Sequence, residues 1–462
     1  MQQTGNIRPN CLNFWELLAL AIALISPTMT AALIVPLMFA TSGSASWLAY
    51  AFAALMLVFV ALSLNQFAKR SSGTGSMYTY VLQGLGGSGG TFAGWALMWA
   101  YMFIGTAGMT GFAIFAAQLC KFAGFDLSPV VAFAICAALS FYLAYKDIQL
   151  STILLLVLEG LSVALIALLM MITLHGTGLI DTAQLTLKGA SISTLGLGVV
   201  VAIFSLVGFE CVTAFGREAH NPLKSIPAAM YTSLAFTGLF FVVVSYVEVF
   251  ALRSNTPTLD KLDAPLVTLS TLMHVGYLKI PLVAGAMLSF FSLAASCLNS
   301  GARVAFAMGR RGVLHPNMGL AHPTLGTPYI AIGMYAVLLF VIPSMMIVSH
   351  VAVLDAFNFA GTLGAFGFLG AYFLVSIAAP FYLKSIGALR PADVVISALA
   401  VLFMLVPAVG SVYPVPAPPT DKFVYVFVAY LLLGYVLSHA FSLGASQIGI
   451  GRHEGEFEEA AA

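Results

Sequence analysis

The chain has 462 residues, of which 61% are hydrophobic and only 8% charged, and its mean hydropathy is +1.01. A soluble domain carries about 25% charged residues, so this composition excludes a water-soluble protein. The net charge of +1 comes from basic residues scattered singly or in pairs, which excludes the basic stripe of a nucleic-acid binder.

A bilayer core about 30 Å thick takes roughly 20 apolar residues per helical span. Apolar runs between short polar loops predict spans over residues 16–40, 47–68, 91–120, 128–145, 150–174, 194–215, 229–252, 279–308, 329–349, 352–379, 393–413 and 422–443. Stretches such as Leu154 to Met171 are apolar on all sides, which rules out the alternation of a membrane β-barrel. The fold class is therefore an all-α integral membrane protein of about twelve transmembrane helices in a lipid bilayer.

In chain order, the polar segment Met1 to Asn13 shows no small-residue cleavage site, so the first run reads as a permanent span. That span carries Ser26-Pro27-Thr28-Met29-Thr30 near its middle. Proline removes a backbone donor and clashes with the preceding turn, and flanking hydroxyls can serve the carbonyls it frees. After span 2, Gly75 to Gly84 reads as a short amphipathic segment. Span 5 holds Glu159, ten residues after Gln149 and so about 15 Å into the membrane. Span 6 carries Ser205-Leu206-Val207-Gly208-Phe209-Glu210, with Glu210 seven residues before Arg217, about 10 Å deep. After span 7, Ala264 to Val275 reads as a second short amphipathic segment, on the opposite face from the first.

Interruptions at corresponding places in two halves point to a transporter site at the membrane midplane, and the two short segments fit an inverted 5+5 repeat. The alternative is two ordinary kinks. The division expected is a tail over 1–15, a first repeat over 16–174 (spans 1–5), a second over 194–379 (spans 6–10), two added helices over 393–443 and a tail over 444–462. Residues Gly451 to Ala462 are acidic and read as disordered.

With the first residues inside, Arg8, Lys69, Arg70, Lys146, Arg217, Lys224, Arg303, Arg310, Arg311, Lys384, Arg390 and Arg452 fall on the inner side. Lys121, Lys188, Arg253, Lys261, Lys279 and Lys422 fall outside. The excess of inner cations predicts cytoplasmic N- and C-termini.

Three stretches together carry a family resemblance. Phe204 to Glu210 is followed by Glu218, Asn221-Pro222 and Ile226-Pro227. Ser300 to Gly312, with Arg303 and Met308-Gly309-Arg310-Arg311-Gly312, is followed by Pro316, His322-Pro323 and Thr327-Pro328. Gly73-Thr74-Gly75-Ser76-Met77-Tyr78-Thr79-Tyr80-Val81 follows span 2. In this order they resemble the permeases of the amino acid–polyamine–organocation (APC) superfamily. The resemblance implies a leucine-transporter-like fold and a multi-pass protein of the cell membrane. It also implies secondary active transport of an amino acid by alternating access around a site between helices 1, 3, 6, 8 and 10. A polyamine or other organic amine is the alternative substrate.

The residues expected at the substrate site are Ser26, Pro27, Thr28, Met29, Thr30, Phe204, Ser205, Gly208 and Glu210. In the family, a glycine-rich break in helix 1 offers bare amides to a substrate carboxylate. Pro27-Thr28-Met29 departs from that pattern, and Ser26, Thr28 and Thr30 hydroxyls stand as partial replacements. Glu210 is read as the partner of a substrate ammonium or as a proton carrier. Phe204 matches an aromatic gate in the family's antiporters, with ordinary packing as the alternative.

A charge in hydrocarbon costs at least about 2.5–3.5 kcal/mol, so intramembrane acids usually face a cavity. Glu159 falls roughly where some proton-coupled relatives resemble one another in having a helix-5 lysine, near the sodium position of sodium-coupled relatives. Glu159 and Glu210 are thus the proton-coupling candidates, against a merely structural, hydrogen-bonded glutamate. H+ is the expected coupling ion, with Na+ as the alternative. Ser292, Ser296 and Asn299 on span 8 are candidates to line the site or an ion site, small interhelical contacts being the other reading. Arg303 is read either as half of an inner-gate ion pair or as snorkelling. Glu248, Asp355, His175, His350 and His439 are read as interfacial, and Trp15, Trp47, Trp95 and Trp99 mostly as belt residues.

The five cysteines lie far apart without C-x-x-C or Cys/His pairing, so no metal, cofactor or disulfide framework is expected. H-E-x-x-H does not occur and paired intramembrane histidines are missing, which sets aside an enzyme. Filter-like loops and rings of like charge are also missing, which sets aside a channel. A non-transporting membrane substrate sensor remains the alternative of another class.

Overall fold

The computed structural model describes residues 6–447 apart from Lys188, Asp263 and Pro414. The acidic segment expected to be a disordered tail lies outside the described residues. Eleven helical stretches are long and apolar enough to cross a membrane. The first, Phe14–Ala68, folds back at Gly43–Ala45 and supplies two spans, making twelve among the described residues. Gly43 turns the chain there with φ +53, a conformation that costs glycine little.

Span 1 is Phe14–Ile25 followed, beyond a break, by Pro27–Met29, a π-helical turn Thr30–Ile34 and Val35–Ser42. Span 2 is Ser46–Ala68, and span 3 lies in the long helix Ser76–Phe122, which kinks at Gly86 (φ +75). The short segment expected after span 2 therefore runs straight into span 3 across a single glycine. Spans 4 and 5 are Pro129–Lys146 and Ile148–Thr177. Span 6 is Ile192–Leu206, an unwound stretch and the 3-10 turn Cys211–Ala214; span 7 is Pro222–Leu252. A short helix, Pro265–Leu272, precedes span 8, Lys279–Arg310. Spans 9 to 12 are Tyr329–Val348, Val353–Ser385, Pro391–Gly410 and Phe423–Gln447.

Counting crossings from the N-terminal side puts helix 76–85 on that face and Pro265–Leu272 on the opposite one. Each follows the second span of its half, and each half opens with a broken helix. That is the inverted repetition of a 5+5 fold, with spans 11 and 12 added.

Local chemistry explains the helix starts. Asn13 accepts from the amides of Trp15 and Glu16 at 2.8 and 3.1 Å, while Glu16 returns a bond to the Asn13 amide at 2.7 Å. This capping box satisfies orphan donors reciprocally at the start of span 1. Asp147 caps span 5 through the Gln149 amide at 2.7 Å, and proline opens spans 4, 7 and 11, where a missing N–H costs nothing.

The core is spans 3, 8 and 10, held close by small residues as membrane helices require. A Cβ on Gly108 would lie 2.9 Å from the Ala294 nitrogen, and one on Gly367 2.5 Å from the Ala96 oxygen. Trp95 and Trp99, expected in an aromatic belt, are instead buried here. Their indole N–H groups donate to Ser438 at 2.9 Å and to the Leu363 carbonyl at 2.7 Å. Partners on spans 10 and 12 supply what water would supply at an interface.

On the face opposite the N-terminal segment, the loop after span 5 clamps span 7. Asp181 accepts from Gln184 at 2.9 Å, pairs with Arg253 and caps the turn through the Ala183 amide. Burial opposes ionisation of Asp181, but these donors prevail and hold its carboxyl below the ordinary aspartate value of 3.8. A depressed acid contributes stability above its unfolded value and loses it as pH falls through the native one. Asp181→Asn is expected to cost about 1.5–3 kcal/mol near neutrality. Thermal unfolding in detergent should show that difference shrinking below pH 3.8.

Candidate functional site

Both breaks sit in the middle of the bundle, sealed from solvent. At the first, Ser26 adopts a left-handed conformation (φ 51), which ends Phe14–Ile25 one residue before the proline. Its hydroxyl meets that of Ser289 on span 8 at 3.1 Å, and the Thr28 hydroxyl meets that of Ser162 on span 5 at 2.8 Å. Two of the three hydroxyls expected at the break thus tie it to neighbouring helices. The third, on Thr30, is buried without a partner, and Pro27 and Met29 are buried beside it.

Glu159 lies three residues before Ser162, on the same face of span 5. It is 2% exposed and neither carboxyl oxygen has a hydrogen-bond partner, although the Thr28 and Ser289 hydroxyls are close by. The first acid expected inside the membrane therefore stands at the first helix break.

The second break is organised by the second acid. Gly208, at φ +103, turns its amide toward Glu210 Oε2 at 3.1 Å and toward the Tyr372 hydroxyl at 3.2 Å. Tyr372, on span 10, itself donates to Glu210 Oε2. The Thr213 hydroxyl donates to the Glu210 carbonyl at 2.7 Å and meets Ser76 at 2.7 Å, joining the break to the start of the long helix 76–122. Glu210 Oε1 and the hydroxyls of Tyr101 and Ser300 are buried without partners. Tyr101 lies within electrostatic reach of Glu210. An ammonium has three donors and no acceptor, so a free carboxylate oxygen beside hydroxyls suits it.

Ser205 stands one turn before the break and bonds Tyr50 of span 2 at 3.3 Å. Phe204 is half-buried, its ring against span 10: a Cβ on Gly361 would lie 2.3 Å from its Cζ. The span-8 candidates do not converge on Glu210. Ser292 bonds its own helix at Leu288, Ser296 donates to the Leu20 carbonyl at 2.9 Å, and Asn299 reaches Ser151 at 3.3 Å. They run down the seam that spans 1, 5 and 8 share.

Toward the N-terminal face the seam ends in an ion pair. Arg303 does not snorkel. It is fully buried and grips Glu218 with two bonds, Nε to Oε2 at 2.6 Å and Nη2 to Oε1 at 2.7 Å. Its guanidinium lies 4.3 Å over the Phe215 ring, and its remaining nitrogen reaches the Asn299 carbonyl at 2.9 Å. The Glu218 carbonyl accepts from the amides of Cys11 and Leu12, at 2.7 and 2.8 Å. The N-terminal segment, the loop after span 6 and span 8 are thereby knotted under the site. Burial beside Glu218 pushes the Cys11 thiol up to about 11, so it stays protonated and inert near neutrality.

Glu248 corrects the interfacial reading: it is 0% exposed, and neither oxygen has a partner. Span 7 runs four residues further, to Leu252, and neighbouring helices cover the turn that sequence position alone would leave at the interface. Asp355, His175, His350 and His439 are exposed.

Tyr372, Tyr101, Tyr50, Ser162 and Ser289 escaped the sequence reading. Ser162 was accessible as the i+3 neighbour of Glu159. The tyrosines were not, because a buried tyrosine and a belt tyrosine look alike in sequence.

The amino acid permease family model matches residues 16–442. The chain is 24% identical over 397 residues to the branched-chain amino acid permease BcaP of Bacillus subtilis (strain 168), covering 79% of this chain and 80% of that one. It is 25% identical over 277 residues to the low-affinity putrescine importer PlaP of Escherichia coli (strain K12), covering 57% and 59%. Similarity to the gamma-aminobutyric acid permease of Bacillus subtilis (strain 168) is 25% over 280 residues, 56% of each. Among solved structures, a Na+-coupled sialic acid symporter in a substrate-bound outward-open state superposes with a TM-score of 0.55 at 16% identity, over 90% of this chain and 91% of that one.

Proposed function

The chain belongs to the amino acid permease family, and from that premise we propose that it carries a small amino acid across the cell membrane by proton-coupled alternating access. One observation carries the reading: each helix break holds a buried carboxyl with at least one oxygen that nothing among the described residues satisfies. Such oxygens are costly unless a ligand or proton uses them.

In this reading the substrate ammonium sits on Glu210 Oε1, and its carboxylate faces the span-1 break, where Thr30 supplies a hydroxyl. Phe204 closes over the substrate. Glu159 carries the coupling proton, since a buried carboxyl without a hydrogen-bond partner favours the protonated form, and the nearby Thr28 and Ser289 hydroxyls can turn to it when it ionises. Residues 16–174 and 194–379 act as the two repeats. The Arg303–Glu218 pair closes the cytoplasmic side, with both termini in the cytoplasm. The solved neighbour is sodium-coupled, yet Ser292 is bonded within its own helix and Ser296 and Asn299 are spent on interhelical bonds, which favours the proton here.

An organic amine is the second reading, favoured by Pro27, which offers no amide to a carboxylate. PlaP, by its name a putrescine importer, is among the relatives.

One experiment tests both. Purified protein in liposomes should accumulate labelled branched-chain amino acid under an inward proton gradient, about tenfold per pH unit for one proton. Glu159→Gln should keep exchange while losing that accumulation. Uptake that ignores the gradient would refute proton coupling. Competition by the decarboxylated amine but not by the amino acid would replace the first substrate with the second.

A further inference from the structure

Glu248 is a third acid inside the bundle that nothing above uses. It lies on span 7 in the half of the protein away from the N-terminal segment, fully buried, with both carboxyl oxygens unpartnered. The basic residue close by in sequence, Arg253, is engaged by Asp181. Among the elements packed against this part of span 7, span 2 presents Tyr50, which is within electrostatic reach of the carboxyl. No charged residue of the described chain offsets its burial.

Tyr50 connects this acid to the second break. Its ring lies 5.4 Å from that of Phe241 on span 7, and its hydroxyl bonds Ser205 at 3.3 Å. Ser205 stands three residues before Gly208, whose amide holds Glu210 and Tyr372. Tyr50, Ser205 and Gly208 thus lie between the two buried acids, bonded through to Glu210 at one end and facing an unbonded Glu248 at the other.

We infer that Glu248 and Tyr50 form a second proton-holding site, which communicates with the span-6 break through Ser205. The inference rests on the proton-coupled reading given above and adds a station to it. An ionised carboxylate without a partner at this depth is strongly penalised, and a proton removes the penalty. An alkali cation does not fit, because hard cations take about six oxygens and neither Glu248 oxygen has another polar group within hydrogen-bond distance among the described residues. When Glu248 ionises, its strongest available donor is the Tyr50 hydroxyl. Drawing that hydroxyl toward Glu248 weakens its bond to Ser205, leaving the Val201 carbonyl at 3.4 Å as the remaining tether of the last turn before the break. The loss of one proton is thereby converted into a change in how span 6 is held.

The test is reconstituted transport by the full chain, read as the pH profile of exchange and as gradient-driven accumulation. Glu248→Gln keeps the shape of the protonated acid, so exchange at fixed pH should persist while its pH profile flattens and accumulation is lost. Tyr50→Phe removes only the relay hydroxyl. It should shift the pH profile toward higher pH with folding intact, because the ionised acid loses its donor, and it carries the test if Glu248→Gln yields no folded protein. A coupled wild type with unchanged profiles in both variants overturns this inference alone. A wild type in which no proton moves with substrate overturns the preceding reading and this one with it.

Discussion

Replacing Arg303 by methionine is expected to destabilise the protein by about 3–5 kcal/mol, because it leaves Glu218 as an uncompensated charge in the interior. Two short bonds join the pair, a third links Arg303 to Asn299, and Phe215 covers the guanidinium face. Removing both charges is a different case. Arg303→Met with Glu218→Gln eliminates the desolvation penalty along with the attraction, so most of the lost stability should return. Thermal unfolding of the two variants in detergent measures this. If the single variant matches the wild type, the pair is not buried in solution. Under the proposed closure of one face by this pair, transport should separate from stability, because without the pair that face no longer closes. The double variant should be stable and yet transport poorly.

Gly208→Ala is expected to abolish transport. At φ +103 an L-residue is strained by about 1–3 kcal/mol, and the new Cβ would fall 2.0 Å from Leu24 Cδ2, just before the first break. The two breaks touch at this point, so displacement of one moves the other. Relief follows a defined order. Leu24→Ala removes the collision and leaves the strained φ, so the double variant should recover part of the uptake and not all of it. Full recovery would mean that strain at residue 208 is unimportant, and no recovery that the Leu24 contact is.

Much of the architecture was legible in residues alone. Twelve apolar runs and two interruptions sufficed for the broken-helix fold, because a bilayer leaves the backbone few alternatives. Glu159 and Glu210 were legible for the same reason, as acids in the middle of such runs. What stayed hidden is which side each residue faces. Depth along a helix follows from counting, but Glu248, four residues from the end of span 7, is buried because of neighbours remote in sequence. Trp95 and Trp99 show the same limit, since a buried indole with a carbonyl or serine partner has the composition of an interfacial one. Arg303 was ambiguous until Glu218, 85 residues away, could be seen beneath it.

The segment around Arg8 to Leu12 has a consequence for assembly. Leu12 pairs with Ala219 and His220, and the Arg8 amide is held by the Gly326 carbonyl. The ribosome delivers Gly326 roughly three hundred residues after Arg8, and domains otherwise acquire structure as they emerge. The stretch made early therefore docks in two stages, Leu12 after six helices have been made and Arg8 only after eight. Until the second stage that face is only half fastened, which leaves spans 7 and 8 room to pack before the floor is sewn shut.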